Sequence, residues 1–271
     1  MQNVTLGDGT VIRDLANLRE LAEAVRIQVE TWGQGFTELV PAAILLVSQK
    51  IGGVSAGAFG PDGRLLGFVF GMTGVRRERL VHWSDMLAVR PGAQGRHLGE
   101  ALKQYQRACC RERGVATMHW TFDPLVARNA HLNLNRLGAA VDEFVPDMYG
   151  SGTNSPMHGV LGTDRFVASW PVSEEPAPMP SDRSLLADAP VVGGATGDSP
   201  SSSAPLPGAP AVAVRIPRDF QALLDGDLER ARAWRASARR AFLHYLTRGY
   251  RVTAFVPDPE GDATYLLTVQ A

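Results

Sequence analysis

The residues best suited to chemistry in this chain lie between positions 86 and 114. An apolar run, Met86-Leu87-Ala88-Val89, gives way to Arg90-Pro91-Gly92, and Gln94, Gly95, Arg96, His97, Leu98 and Gly99 follow. Apolar residues then recur at Leu98, Ala101, Leu102, Tyr105 and Ala108 with helical spacing, up to a stop at Gly114. The expected order is a strand, a tight loop and a helix that begins near His97. The first amide N–H groups of a helix have no acceptor within it, and the helix dipole adds partial positive charge there. Such a junction suits an anion, and a pyrophosphate is a natural occupant. Gly95 lets the backbone approach a ligand, Gly99 removes a side chain, and Arg96 can add a charge-assisted contact. The same residues also fit an ordinary strand–loop–helix connection with no ligand.

The elements around this loop alternate in type. A short strand over 11–15 runs into a helix ending near Trp32, and Gly33 and Gly35 stop it. A second helix spans 42–51, opened by Pro41. Strands over 54–59 and 65–72 flank Pro61-Asp62-Gly63 as an antiparallel hairpin. Further strands are expected over 80–89 and 116–123, then a helix from Pro124 to Leu137, then strands over 141–149 and 166–170. Residues 173–210 are rich in Pro, Ala, Ser and Gly without an apolar period and read as a linker. Residues 211–271 read as a β-α-β-β subdomain with one helix from Pro217 to Gly249. That subdomain is small for a free-standing core, so it is expected to dock on the first domain or on a partner chain, which leaves a homodimer open.

This order, with the Met86-to-Gly99 segment and Glu100-Ala101-Leu102-Lys103 after it, resembles the GNAT superfamily of acyl-CoA-dependent N-acyltransferases over residues 10–172. The resemblance implies an α+β, three-layer GNAT fold over residues 1–172, with a central mixed, mostly antiparallel sheet flanked by helices. The family loop reads Gln or Arg, two residues, Gly, one residue, then Gly or Ala. Here Gln94 and Gly99 fit, and His97 stands where the first glycine belongs. Trp120-Thr121-Phe122-Asp123-Pro124-Leu125, Asn129-Ala130-His131, Asn133, Leu137-Gly138 and Met148-Tyr149-Gly150 are similar to an uncharacterised predicted-acetyltransferase subgroup with a C-terminal extension. Some members of that subgroup are associated with N-succinylation of amino acids.

The resemblance implies acetyl-CoA or another acyl-CoA as cosubstrate, held by Leu87, Ala88, Val89, Gln94, Gly95, Arg96, His97, Leu98 and Gly99, with Asn129 toward the CoA arm. It implies direct attack of a small amine or amino acid on the thioester, with backbone N–H groups near Leu87 and Val89 stabilising the oxyanion. His82, Asp85 and Asp123 are candidate bases. On a regular strand Asp85 shares a face with Leu87 and Val89, and His82 lies opposite. Each carboxylate also has a plain structural reading, a hydrogen-bonded strand residue for Asp85 and a cap of the helix begun by Pro124 for Asp123. The tyrosine that serves many members as acid is replaced by Leu134. Tyr149, from a neighbouring strand, is the substitute donor or else a half-buried aromatic. Trp32, Phe36 and Trp83 are candidate walls of the acceptor site or core residues. A GNAT-fold sensor or scaffold that binds CoA without turnover is the alternative function.

Composition narrows the partners. With 27 basic and 28 acidic residues the net charge is −1, which gives no footprint for nucleic acid or an anionic membrane. The basic stretch over 230–240 reads as a solvated helix face. The two cysteines, Cys109 and Cys110, are adjacent and poorly placed to bridge each other, and they offer no zinc spacing. The first residues lack a signal-peptide pattern, and no apolar run reaches the roughly 18 residues of a membrane span. The expectation is a soluble cytoplasmic enzyme with no metal.

Overall fold

Apolar runs in the N-terminal half form strands, and the amphipathic periods between them form helices on either side. The computed structural model describes residues 2–150, 161–175, 177–194, 205–258 and 260–269. In chain order the elements are β1 (Val4–Thr5), β2 (Val11–Asp14), α1 (Leu18–Trp32), α2 (Ala42–Lys50), β3 (Val54–Phe59), β4 (Leu65–Arg76) and β5 (Arg79–Val89). Then come α3 (Leu98–Glu112), β6 (Thr117–Phe122), α4 (Ala127–Ala130), β7 (Ala140–Val145), β8 (Arg165–Pro171) and β9 (Val191–Val192). The chain closes with β10 (Ala211–Ile216), α5 (Phe220–Gly226), α6 (Leu228–Leu246), β11 (Tyr250–Val256) and β12 (Ala263–Val269). The class is α+β, as expected.

The chain divides into two compact units, and β6 and β8 each contribute residues to both. Among the described residues, the first holds 2–120 and 169–175 and the second holds the rest. In the first unit the strand order is β1-β2-β3-β4-β5-β6. Pairing is antiparallel from β1 through β5 and parallel between β5 and β6, which makes the sheet mixed and mostly antiparallel.

The helices of the first unit cover both sheet faces. Leu21, Ala24, Ile27 and Leu45 of α1 and α2 pack with Phe68, Phe70, Met86 and Ala88 of the sheet. On α1, Asn17 accepts from the Glu20 amide and Gly33, at φ 94°, ends the helix. Leu15, the last residue of the expected strand, lies before the cap and bonds through its amide to the Ser55 carbonyl. The other sheet face meets α3. Its buried side is wider than the expected apolar stripe: Lys103, Gln106, Arg107, Cys109 and Cys110 join Leu98, Leu102 and Tyr105.

Three local expectations change. The β4–β5 hairpin is longer than expected because it turns at Arg77 and Glu78, both at positive φ, with no glycine or asparagine to announce the turn. The helix expected from Pro124 starts only at Ala127, because the Asp123 carboxylate accepts from the Leu125 amide and closes a turn there. After α4 the chain continues as a π-helix over His131–Arg136. β7 ends at Val145, so Tyr149 lies in a turn and not in a strand, and Asp147 at φ 46° reverses the chain before it.

In the second unit the C-terminal sheet has the order β11-β12-β10-β9. β9 comes from the segment read as linker and pairs parallel with β10. The single helix expected after Pro217 is two, because Asp227 breaks it and caps α6 by accepting from the Arg230 amide. Phe144, Phe166, Phe242 and Tyr265 form an aromatic core with ring centroids 4.7–5.7 Å apart. No helix among the described residues is long and apolar enough to cross a membrane.

Candidate functional site

β5 is paired along one edge and open along part of the other. Its ladder with β4 runs to Gly67↔Val89. Its ladder with β6 holds three pairs only, Val81↔Thr117, His82↔Met118 and Trp83↔His119. From Ser84 onward β5 and β6 part company, and among the described residues the backbone groups of 84–89 on that edge have no strand partner. Interior strand edges need hydrogen-bond partners, and an extended amide-bearing ligand can supply them.

A β-bulge sits where the strands separate. Phe70 pairs with Met86 and Gly71 with Ser84, which leaves Asp85 as the extra residue. The bulge corrects the expected sidedness of the strand. Phe70 and Gly71 point to opposite faces, so Met86 and Ser84 do too. His82 and Ser84 therefore share the α3 face with Leu87 and Val89, and Asp85 falls outside the alternation. Burial raises the Asp85 pKa above the ordinary carboxylate value, with Glu38 adding to the shift and a hydrogen bond from Trp83 opposing it. By surface area the residue is nonetheless exposed, so the carboxyl group is packed on some sides and open to solvent on another.

At the end of β5, Gln94 Nε2 donates to the Val89 carbonyl at 3.2 Å. Gly95 adopts φ 78°, with open space where a Cβ would stand. Arg96 turns away from its expected ligand role and binds Asp8 and Thr10 Oγ1. This bond holds the Asp8 pKa down at about 2. His97 occupies the N-cap position of α3 in the left-handed region, at φ 57° and ψ 17°, and no side chain caps the helix. The backbone thus keeps the conformation that favours glycine, the residue His97 replaces. Its side chain points outward and is 71% exposed. The Ala101 amide is the first to reach the His97 carbonyl, so the amides of Leu98 and Gly99 precede the first helical bond. This cradle fits a pyrophosphate, and the open β5 edge beside it fits an amide-bearing arm.

A polar layer lies between β5 and α3. Lys103 is 3% exposed, with Nζ 2.7 Å from Ser84 Oγ and 4.0 Å from the centre of the Trp120 ring. Burial lowers its pKa to about 7, and no carboxylate among the described residues pairs with it. His82 sits between Thr73 Oγ1 and Gln106 Nε2, each at 3.0 Å, and burial, with the charges of Lys103 and Arg113, lowers its pKa to about 3. Gly71 makes room for this pair, since a Cβ there would lie 2.3 Å from His82 Nε2.

The remaining candidates belong to the second unit. Asp123 receives a two-pronged contact from Arg235 at 2.9 and 2.6 Å, and Arg165 lies 3.7 Å away. Burial pushes the Asp123 pKa up, but the charge and hydrogen bonds of Arg235, then Arg165, outweigh it and hold the pKa below the usual carboxylate value. Both oxygens are engaged, and low proton affinity suits an ion pair better than a base. Tyr149 Oη is 3.0 Å from Thr121 Oγ1, and its ring stands 5.6 Å from the Arg165 guanidinium carbon. Asp123 and Tyr149 are thus linked through Arg165, and Asn129 is half-buried on α4 outside that cluster. Leu134 is fully buried. Arg165, Arg235 and Lys103 had no signal as site residues, because their partners are distant in sequence or their helical face looked apolar.

No protein-family model matches this chain, and no curated protein matches it. Solved structures similar in chain trace include a GNAT superfamily phosphinothricin acetyltransferase from Sinorhizobium meliloti in complex with acetyl-CoA. It is 18% identical with a TM-score of 0.48, over 64% of this chain and 94% of that one. The putative acetyltransferase yncA from Salmonella typhimurium, with its cofactor acetyl-CoA, is 19% identical with a TM-score of 0.47, over 62% and 97%. A putative GNAT-family acetyltransferase from Desulfovibrio desulfuricans is 16% identical with a TM-score of 0.47, over 60% and 99%. Likeness of this degree assigns neither activity nor substrate.

Proposed function

We propose that the protein is an acyl-CoA-dependent N-acyltransferase that moves an acetyl or succinyl group to a small amine or amino acid. The observation that carries this reading is the open edge of β5 leading into the uncapped start of α3. In this reading the amides of the pantetheine arm pair with residues 84–89 as a strand would, and the pyrophosphate takes the amides of Leu98 and Gly99. A backbone N–H of the open stretch stabilises the oxyanion. The acceptor ammonium gives a proton to Asp85, directly or through water. Its nitrogen then forms a bond to the thioester carbon as the C–S bond breaks, and the second proton of that nitrogen passes to the departing thiolate, so CoA leaves as the thiol. The raised pKa of Asp85 matches a base better than the depressed one of Asp123.

Purified protein with acetyl-CoA or succinyl-CoA and a panel of amines and amino acids should release free thiol, and CoA alone should raise the melting temperature. Absence of both contradicts the reading. Stabilisation by CoA without turnover on any amine favours a sensor or scaffold instead, a role to which the fully buried Leu134 lends support.

A further inference from the structure

Arg165 is a nearly buried cation with two of its three side-chain nitrogens uncommitted among the described residues. Its side chain is 7% exposed. Nη1 donates to the Asp164 carbonyl at 3.0 Å, and Asp123 Oδ2 lies 3.7 Å from the same nitrogen, beyond hydrogen-bond reach. Nε and Nη2 have no acceptor among the described residues, yet neither is sealed in the interior, as Nε of Arg235 is. The nearby acids are taken: Asp123 by Arg235, and Asp147 and Asp164 by Arg239. Burial outweighs these acids and lowers the Arg165 pKa, so the positive charge is under-compensated.

We infer that Arg165, beside the ring of Tyr149, is a carboxylate-binding site that holds the acceptor through its own carboxylate. Nε and Nη2 form a planar fork that matches one carboxylate in two parallel hydrogen bonds. The site is built for a single planar anion rather than a phosphate, because Arg235 and Arg239, the other guanidinium groups of the cluster, are occupied. The assignment to the acceptor rests on the acyltransferase reading. It narrows the substrate from small amines in general to amines that carry a carboxylate, with α-amino acids as the simplest case.

The test is binding of matched pairs to the full chain without CoA, read by calorimetry or saturation-transfer NMR. L-amino acids are compared with their carboxamides and with the amines that lack the carboxyl group. The amino acids should bind roughly 10- to 100-fold more tightly than either counterpart. Arg165→Lys, which keeps the charge and loses the fork, should erase that preference and leave stabilisation by CoA unchanged. Equal binding of acids, amides and amines by the native protein overturns the inference even if the variant fails to fold. So does a soluble Arg165→Lys variant that keeps the preference. Loss of CoA binding and turnover together with a retained carboxylate preference overturns the acyltransferase reading and leaves the carboxylate site standing.

Discussion

Replacing Asp123 with Asn separates an ion-pair role from a catalytic one. The substitution keeps the shape and removes the charge. Arg235, held at 2.9 and 2.6 Å, then faces a neutral amide, and Arg165 at 3.7 Å loses its nearest carboxylate. Breaking one side of a buried pair leaves the other charge stranded and costs about 3–5 kcal/mol, a large share of the roughly 5–15 kcal/mol of a folded domain. With a urea dependence of about 1–3 kcal/mol per molar, the unfolding midpoint should fall by at least about 1 M. The difference should depend on pH. The folded pKa of Asp123 lies below its unfolded value of 3.8, so its contribution is complete above 3.8 and is lost as pH falls through the folded pKa. The native and Asp123→Asn proteins should therefore converge in acid. The assay is urea unfolding at pH 7 and at stepwise lower pH, followed by circular dichroism, with turnover measured on the same samples. An Asp123→Asn protein within about 1 kcal/mol of native that has lost 100- to 10,000-fold of its turnover would refute the reasoning and make Asp123 the base.

Asp85→Asn should behave in the opposite way, with stability within about 0.5 kcal/mol of native, as for an exposed site, and kcat/KM down by about 100- to 10,000-fold. Unchanged turnover would remove Asp85 from the mechanism. His97→Gly relieves a left-handed residue that costs about 1–2 kcal/mol but adds chain entropy worth about 0.5–1 kcal/mol. Its melting temperature should be unchanged or slightly higher and its CoA affinity kept or tightened, and a tenfold loss of CoA affinity by calorimetry would contradict the placement of the loop. Lys103→Met should flatten the pH dependence of stability. The lysine titrates at about 7 when folded against 10.5 unfolded, so native stability should rise with pH from about 7 to 9.5 as the proton that only the unfolded chain retains is lost. A variant that keeps this rise would show that the amine is not the source.

The loop at 94–99 was legible because everything that defines it is local. Glycine where the backbone turns, an apolar run before it and a helical period after it are properties of a dozen neighbouring residues. The class of fold and most strands were legible for the same reason. The turn at Arg77-Glu78 was not, because neither residue type favours the positive φ that each adopts. Nor was the split of the C-terminal helix at Asp227, which interrupts an otherwise sustained apolar period.

What the tertiary structure alone decided was pairing. The bulge at Asp85 is a property of the register between two strands, and it moves His82 and Ser84 onto the face that α3 covers. The Lys103 environment depends on Ser84 and Trp120, 19 and 17 positions away on two different strands. Asp123 finds Arg235 across 112 residues of chain. Spacing in sequence sets backbone preference and helical face, so it could identify a cradle for a phosphate. It carries no information about which distant charge neutralises a carboxylate. The type and order of residues thus set the strand–loop–helix junction, and only the fold showed that Asp123 is committed to an arginine, that Asp85 has no salt bridge among the described residues, and that Arg165 still has donors to offer.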